Sequence, residues 1–205
     1  MKKEELSKYE IIYSDSIEFM GFTLYRIRAL KDFSNVNSGD LGGYICDYEN
    51  LSQYGDAWVY GNAKVSGKAK VSGKAKVYGN ARVSGDVWVS GDARVYGNAK
   101  VYGNAKVSGK AKVYGNAKVS GDAWVSGDAK VYGQISIITI LDIGRERGCL
   151  TMHLDSKIGV RVTRGCFTGT IEEFLSAVEK THGDNMYGKI YRTAIEMAKI
   201  QFEID

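Results

Sequence analysis

The stretch Val95–Trp124 reads VYGNAKVYGNAKVSGKAKVYGNAKVSGDAW, a six-residue phrase written five times over. Glycine falls at every sixth position from Gly55 to Gly133, fourteen glycines in all. The phrase between them is V-[YS]-G-[NDKQ]-A-[KRW], and Val87 alone replaces an internal alanine. A fixed period of this kind marks stacked repeats. Within each phrase Ala-x-Val places a small and a large apolar residue on either side of an outward one, the two-residue period of a short strand with one buried face. The three residues that follow turn a corner, so each phrase is one side of a polygonal coil.

The columns give the number of sides. Every eighteenth residue before a glycine is Tyr60, Tyr78, Tyr96, Tyr114 and Tyr132. With seven Tyr and seven Ser sharing the fourteen slots, five tyrosines in one column arise by chance about once in a hundred. Two residues on, the same column reads Asn62, Asn80, Asn98, Asn116 and Gln134, an amide ladder in which each side chain reaches the one above. A second corner alternates in charge as Asp56, Lys74, Asp92, Lys110 and Asp128, which suits strands stacked at ~4.8 Å. Three phrases, eighteen residues, therefore make one coil, and the coil is triangular.

The rest of the composition agrees with a β-architecture. The 205-residue chain has 25 glycines and no proline, 44% apolar and 25% charged residues. That is globular rather than disordered composition, and it keeps every ladder donor while permitting tight corners. Cys46, Cys149 and Cys166 are odd in number and irregular in spacing, so neither a disulfide framework nor a zinc pattern is expected, and the cytoplasm is the expected compartment. The N-terminal MKKEELSKYEII leads into Tyr13-Ser14-Asp15 rather than an apolar run, and no segment approaches a membrane span.

These repeats resemble the hexapeptide-repeat proteins, in which an aliphatic residue with a small residue two before it builds a left-handed parallel β-helix. The left hand is implied by that resemblance. The expected fold is mainly β: a triangular parallel β-helix over residues 36–137, an N-terminal β-hairpin cap over 1–35, and a C-terminal α+β module over 138–205. IEFMGFTLYRIRAL reads as two strands about Met20-Gly21, and LYRIRALKDF, GDLGGYI and NLSQYGDAW further resemble hexapeptide-repeat proteins of phages, prophages and gut bacteria. ISIITILDI, CLTMHL and IGVRVT read as three strands, followed by two helices. The first helix starts at Thr170 with Glu173 in capping-box spacing, and Ile171, Phe174, Leu175 and Val178 form its apolar stripe. GCFTGTIEEF and THGDNMYGKIY resemble a module that recurs behind such repeats in phage-type proteins.

Candidate chemistry is sparse. Acyltransferases of the hexapeptide-repeat family carry a histidine near the coil and hold coenzyme A between subunits. Here His153 and His182 both lie outside the repeat, and no loop interrupts it to build a pocket. Two histidines also fall short of the three that hold zinc in the carbonic anhydrases of this fold. His182 precedes Gly183 at a helix end and reads as a cap, while Cys149 and His153 share a strand face and read as packing. GCFTGT is a glycine-bearing loop before a helix, but Glu172 and Glu173 in the first turn oppose an anion there. No catalytic residue, metal site or cofactor is expected.

Charge is more informative. Residues 51–134 hold 13 Lys and Arg against 5 Asp, whereas residues 1–50 hold 6 against 9 and residues 135–205 hold 9 against 10. The basicity is confined to the coil. One outward column is Lys64, Arg82, Lys100 and Lys118; a second is Trp58, Lys76, Arg94, Lys112 and Lys130; the third is Lys70, Trp88, Lys106 and Trp124. The cation columns either bind a phosphate-bearing partner or keep a repetitive sheet soluble. Trp58, Trp88 and Trp124 suggest a subunit interface or a stacking platform. The reading is a non-catalytic oligomeric binding or scaffold protein of phage or mobile-element origin, a trimer by resemblance, recognising an anionic ligand or a host protein. Two alternatives stand beside it: a sponge for a nucleotide immune signal, and a coenzyme A-dependent acyltransferase.

Overall fold

The computed structural model describes residues 7–133, 137–155 and 158–204; Gln134 of the amide column lies outside them. From Trp58 to Tyr132 the chain forms strands of two or three residues, one per phrase. Each parallel pair joins residues eighteen apart. Lys64, Arg82, Lys100 and Lys118 stand side by side on one face. Trp58, Lys76, Arg94, Lys112 and Lys130 share the second, and Lys70, Trp88, Lys106 and Trp124 the third. The architecture is a parallel β-solenoid.

The physical basis is the alternation inside the phrase. Alanine and valine side chains from Ala57 to Val131 are fully buried and form one continuous core. Each buried valine stabilises the stack by ~1.5–3 kcal/mol. The fourteen corner glycines all have positive φ, between 56° and 86°, a region that a β-carbon disfavours. That is why the glycine period is unbroken.

The direction of the ladder gives the two ends of the solenoid opposite chemistry. At the ends of each short strand, N–H groups of one coil donate to carbonyls of the next, as Trp88 N does to Ala105 O at 3.0 Å and Lys106 N to Ala123 O at 2.8 Å, while the valine inside each strand pairs in the opposite sense, as a parallel ladder requires. Carbonyls therefore predominate at the N-terminal end and N–H groups at the C-terminal end. Buried unpaired, each would cost about 1–3 kcal/mol, and the chain supplies a matching cap at each end.

The N-terminal cap donates. Strands Tyr9–Phe19 and Phe22–Ala29 form a hairpin about Met20 and Gly21, both of positive φ, and strand Leu41–Ile45 joins that hairpin to the Lys64 face as one seven-stranded sheet. Buried Lys8 gives its ammonium to Ala57 O at 2.9 Å. Asn50, also buried, donates to Gly67 O at 2.9 Å and Ala69 O at 2.8 Å, and its own carbonyl accepts from Cys46 N at 2.9 Å. Tyr9 Oη donates to Leu51 O at 2.7 Å.

The C-terminal cap accepts. Antiparallel strands Ile137–Ile143, Gly148–Asp155, Gly159–Arg164 and Phe167–Gly169 form one sheet. Helices α1 (Ile171–His182) and α2 (Met186–Phe202) cover one of its faces, packing Phe174, Val178 and Ile195 against Leu150, Met152 and Val162. The other face carries Thr151, His153 and Asp155 towards the last coil, where Thr151 Oγ1 accepts from Trp124 N at 3.4 Å and Asp155 bridges Ala129. Thr170 caps α1 reciprocally: its hydroxyl accepts from Glu173 N and its N–H donates to the Glu173 carboxylate at 2.9 Å. The sequence reading of three strands falls short by one. GCFTGT is a hairpin turn and strand rather than an open loop, because Phe167 packs its ring on Phe174 at 5.3 Å.

Candidate functional site

With both ends covered, the outward faces of the solenoid are the candidate site, and each differs in character. The second face does not keep its column intact. Trp58 is only 1% exposed, enclosed edge-on by Phe33 at 5.3 Å and Tyr9 at 6.0 Å. The expectation that it serves an interface or a stacking platform is therefore corrected: it is the anchor of the N-terminal cap, buried because the chain before the repeat folds back over the first coil. Lys76 on the same face donates to Asn35, so the cap also engages the next coil.

Arg94, Lys112 and Lys130 continue that face and line a cleft of about 490 Å³ together with the alternating corner of Asp56, Lys74, Asp92, Lys110 and Asp128. Carboxylates at every second level dilute the positive field there. On the Lys64 face the first cation is screened in another way. Lys64 lies 5.7 Å from the Phe19 ring centroid and 5.9 Å from that of Tyr44, and burial with neighbouring Arg82 and Arg26 lowers its pKa. Arg82, Lys100 and Lys118 are exposed and line a groove of about 400 Å³ whose other wall is Asn80, Asn98 and Asn116. Among the described residues no carboxylate lines that groove.

The amides form a bonded ladder: Asn80 donates to Asn98 and Asn98 to Asn116, each at 3.4 Å. Asn62 begins the same column and its carbonyl accepts from Lys64 Nζ at 3.0 Å. The tyrosine column beside it stacks. Ring centroids of Tyr78 and Tyr96 are 4.7 Å apart and nearly parallel, those of Tyr96 and Tyr114 5.1 Å, and those of Tyr114 and Tyr132 5.8 Å. Tyr60 instead meets Tyr78 edge-on and donates to Asn35 of the cap at 3.0 Å.

The third face exposes Lys70, Trp88 and Lys106. Trp88 is 56% exposed and Trp124 39% exposed. Lys106 Nζ sits 6.0 Å from the Trp88 ring, and Trp124 Nε1 donates to Ser108 Oγ at 3.4 Å. The corner column beside them is Lys68, Asp86, Asn104 and Asp122, all exposed, with Asn104 donating to Asp122 at 2.9 Å.

The residues with catalytic potential are placed unfavourably for it. His153 is fully buried, its pKa pushed down to about 4 by loss of solvent, and among the described residues only its Nδ1 is near a polar partner, Leu154 O at 3.4 Å. Cys149 meets Thr151 Oγ1 at 3.6 Å, and burial raises its thiol pKa. His182 ends α1 packed against the rings of Tyr187 and Tyr191. Sequence reasoning missed the buried Lys8, which lies in a charged N-terminal run that looks solvated; only its position next to the Tyr-Glu-Ile-Ile strand hinted otherwise.

No helix among the described residues is long and apolar enough to cross a membrane, and no cluster of three metal-ligating side chains occurs among them. Residues 55–146, short of half the chain, match the family model of Bactofilin, described as polymer-forming cytoskeletal. No curated protein matches the chain. The fold and the match agree on a parallel β-helix family, and the narrower resemblance to phage-associated hexapeptide-repeat proteins is not part of that agreement.

Proposed function

We propose that the protein is a non-catalytic scaffold that assembles with copies of itself side by side, through the faces of its solenoid. The carrying observation is the pair Trp88 and Trp124, two large exposed aromatics on an otherwise polar face. The polymer-forming description of the matched family supports self-assembly. The covered ends direct that assembly sideways. Stacking coil on coil would need bare carbonyls at one end and bare N–H groups at the other, and Lys8, Asn50 and Thr151 already occupy groups of both kinds.

The test is the mass in solution of the wild type and of a Trp88→Ala, Trp124→Ala double variant, by light scattering across a concentration series. A wild type larger than one chain and a variant reduced to one chain is the expected result. A double variant of unchanged mass removes the third face from the assembly.

A second reading has its own observation. Among the described residues, the groove of Arg82, Lys100 and Lys118 against the amide ladder is lined by cations and amide groups, the chemistry of an anion-binding strip. Binding of inorganic polyphosphate that weakens with salt and is lost in Arg82→Glu with Lys100→Glu would support it. Equal binding by that variant would remove it.

A further inference from the structure

The third face carries a pattern that its two neighbours lack. Read from the N-terminal coil upward, its outward side chains are Lys70, Trp88, Lys106 and Trp124, held in register by the parallel ladder. The corner column along one edge reads Lys68, Asp86, Asn104 and Asp122. Both orders are complementary to their own reversals. We infer that this face pairs with the same face of a second copy of this chain, the two solenoids antiparallel, about a two-fold axis that runs along the strands between the Trp88 and Lys106 levels.

The pairing follows from symmetry. A two-fold axis in the plane between two facing sheets and along the strands reverses the coil order and keeps each edge over the same edge. Lys70 then faces the partner's Trp124, and Trp88 faces the partner's Lys106, so every exposed tryptophan meets an ammonium group across the interface. Along the edge Lys68 faces the partner's Asp122, and Asp86 faces the partner's Asn104. Each contact is an opposite charge, a carboxylate with an amide, or a cation with an indole. The contact of Lys106 with Trp88 within one chain, 6.0 Å, shows that this spacing lets the two side chain types meet.

The alternatives are worse in ways the columns make explicit. Parallel solenoids about a two-fold axis along the coil would set Lys70 on Lys70 and Lys106 on Lys106. The Lys64 and Trp58 faces offer Arg82, Lys100 and Lys118, or Arg94, Lys112 and Lys130, so either face against itself opposes cation to cation in any register. Four short rungs make a small interface by the standard of stable complexes. Its strength therefore depends on the charged edge, which makes the edge a sensitive probe.

The inference rests on the side-by-side scaffold reading and is tested separately from it. Masses of the full chain would be measured by light scattering or sedimentation for the wild type, Lys68→Asp, Asp122→Lys, and the two changes combined. Both positions are exposed, and circular dichroism checks that the solenoid is retained. A two-chain wild type is expected, with self-association weakened about tenfold or more in each single variant, because each reversal sets like charges together twice in a symmetric pair. The combined variant restores it, since the two exchanged charges face each other across the interface only in the antiparallel register. A wild type of one chain at every concentration overturns the scaffold reading itself. A three-chain wild type, or a larger species that the single changes leave intact or the combined change fails to restore, overturns the antiparallel pairing alone.

Discussion

The ammonium of Lys8 lies 2.9 Å from the carbonyl oxygen of Ala57, and the side chain that carries it is 1% exposed. A cation is thereby enclosed at the end of the solenoid where backbone carbonyls predominate. Phe33 stands 5.2 Å from the same ammonium, so aromatic surface closes the site that the carbonyls open. Loss of water outweighs the attraction of Asp56 and lowers the pKa of Lys8 from 10.5 to about 8.

That shift fixes a pH dependence. The unfolded chain holds the Lys8 proton up to about 10.5 and the folded chain releases it near 8. Between those values the unfolded state binds more protons, so stability rises with pH, and below 8 the burial penalty is fully present. Urea unfolding of the wild type should gain about 2 kcal/mol between pH 7 and 9.5 relative to Lys8→Met. Parallel pH profiles for the two proteins would refute the account of Lys8.

At the other end the same sign acts in an acid window. His153 is fully buried between the C-terminal sheet and the last coil, with Asp155 and Arg161 beside it. Its folded pKa of about 4 lies below the ordinary 6.5, so the unfolded chain takes up a proton first as the pH falls. Stability is lost from about pH 6.5 down to 4, by ~3 kcal/mol in full. His153→Leu should remove that part of the acid slope and leave the carboxylate part. A variant as acid-sensitive as the wild type would place the titration elsewhere.

Sequence periodicity carries the solenoid because core, corner and ladder all repeat with the same spacing. Ala-x-Val and the glycine period give the six-residue side, the tyrosine column gives the eighteen-residue coil, and Thr170 with Glu173 gives the start of α1. What periodicity cannot carry is whatever breaks it. Trp58 shares a column with Lys76 and Arg94, and nothing within the repeat separates a covered first level from exposed later ones. Its burial depends on Tyr9 and Phe33, which arrive from outside the repeat. Lys8 is hidden for the same reason, because the bare carbonyls of the first coil exist only once the ladder direction is known. The exposed face was legible as a column, yet its reversal symmetry becomes physical only when Lys68 and Asp122 are seen to share an edge with it.

The tyrosine stack predicts a graded effect. Tyr96 stacks on Tyr78 and Tyr114 at 4.7 and 5.1 Å, while serine holds the equivalent corner in half of the phrases without disturbing the backbone. Tyr96→Ser should therefore lower stability by about 1–3 kcal/mol through lost stacking alone. Tyr60→Ser removes an edge contact and the bond to Asn35 instead, and should loosen the cap. Hydrogen exchange separates the two: faster exchange at residues 33–36 is expected in the Tyr60 variant only. Equal exchange there in both would show that the stack and the cap are coupled.

The corner glycines offer the cleanest comparison, since Gly109 and Gly115 have nearly the same φ, 66° and 63°. Either one changed to alanine bears the cost of a left-handed backbone, ~1–2 kcal/mol. A β-carbon on Gly109 would also stand 2.9 Å from Gly127 N and 3.0 Å from Gly127 O, whereas one on Gly115 meets nothing within 4 Å among the described residues. Backbone of the next coil cannot yield without lengthening the hydrogen bond from Lys110 N to Gly127 O, 2.8 Å. Gly109→Ala should thus be less stable than Gly115→Ala by a further ~1–3 kcal/mol, read as the difference of two urea midpoints. Equal midpoints would mean that conformation alone demands glycine at the corners and that coil spacing leaves room for a side chain.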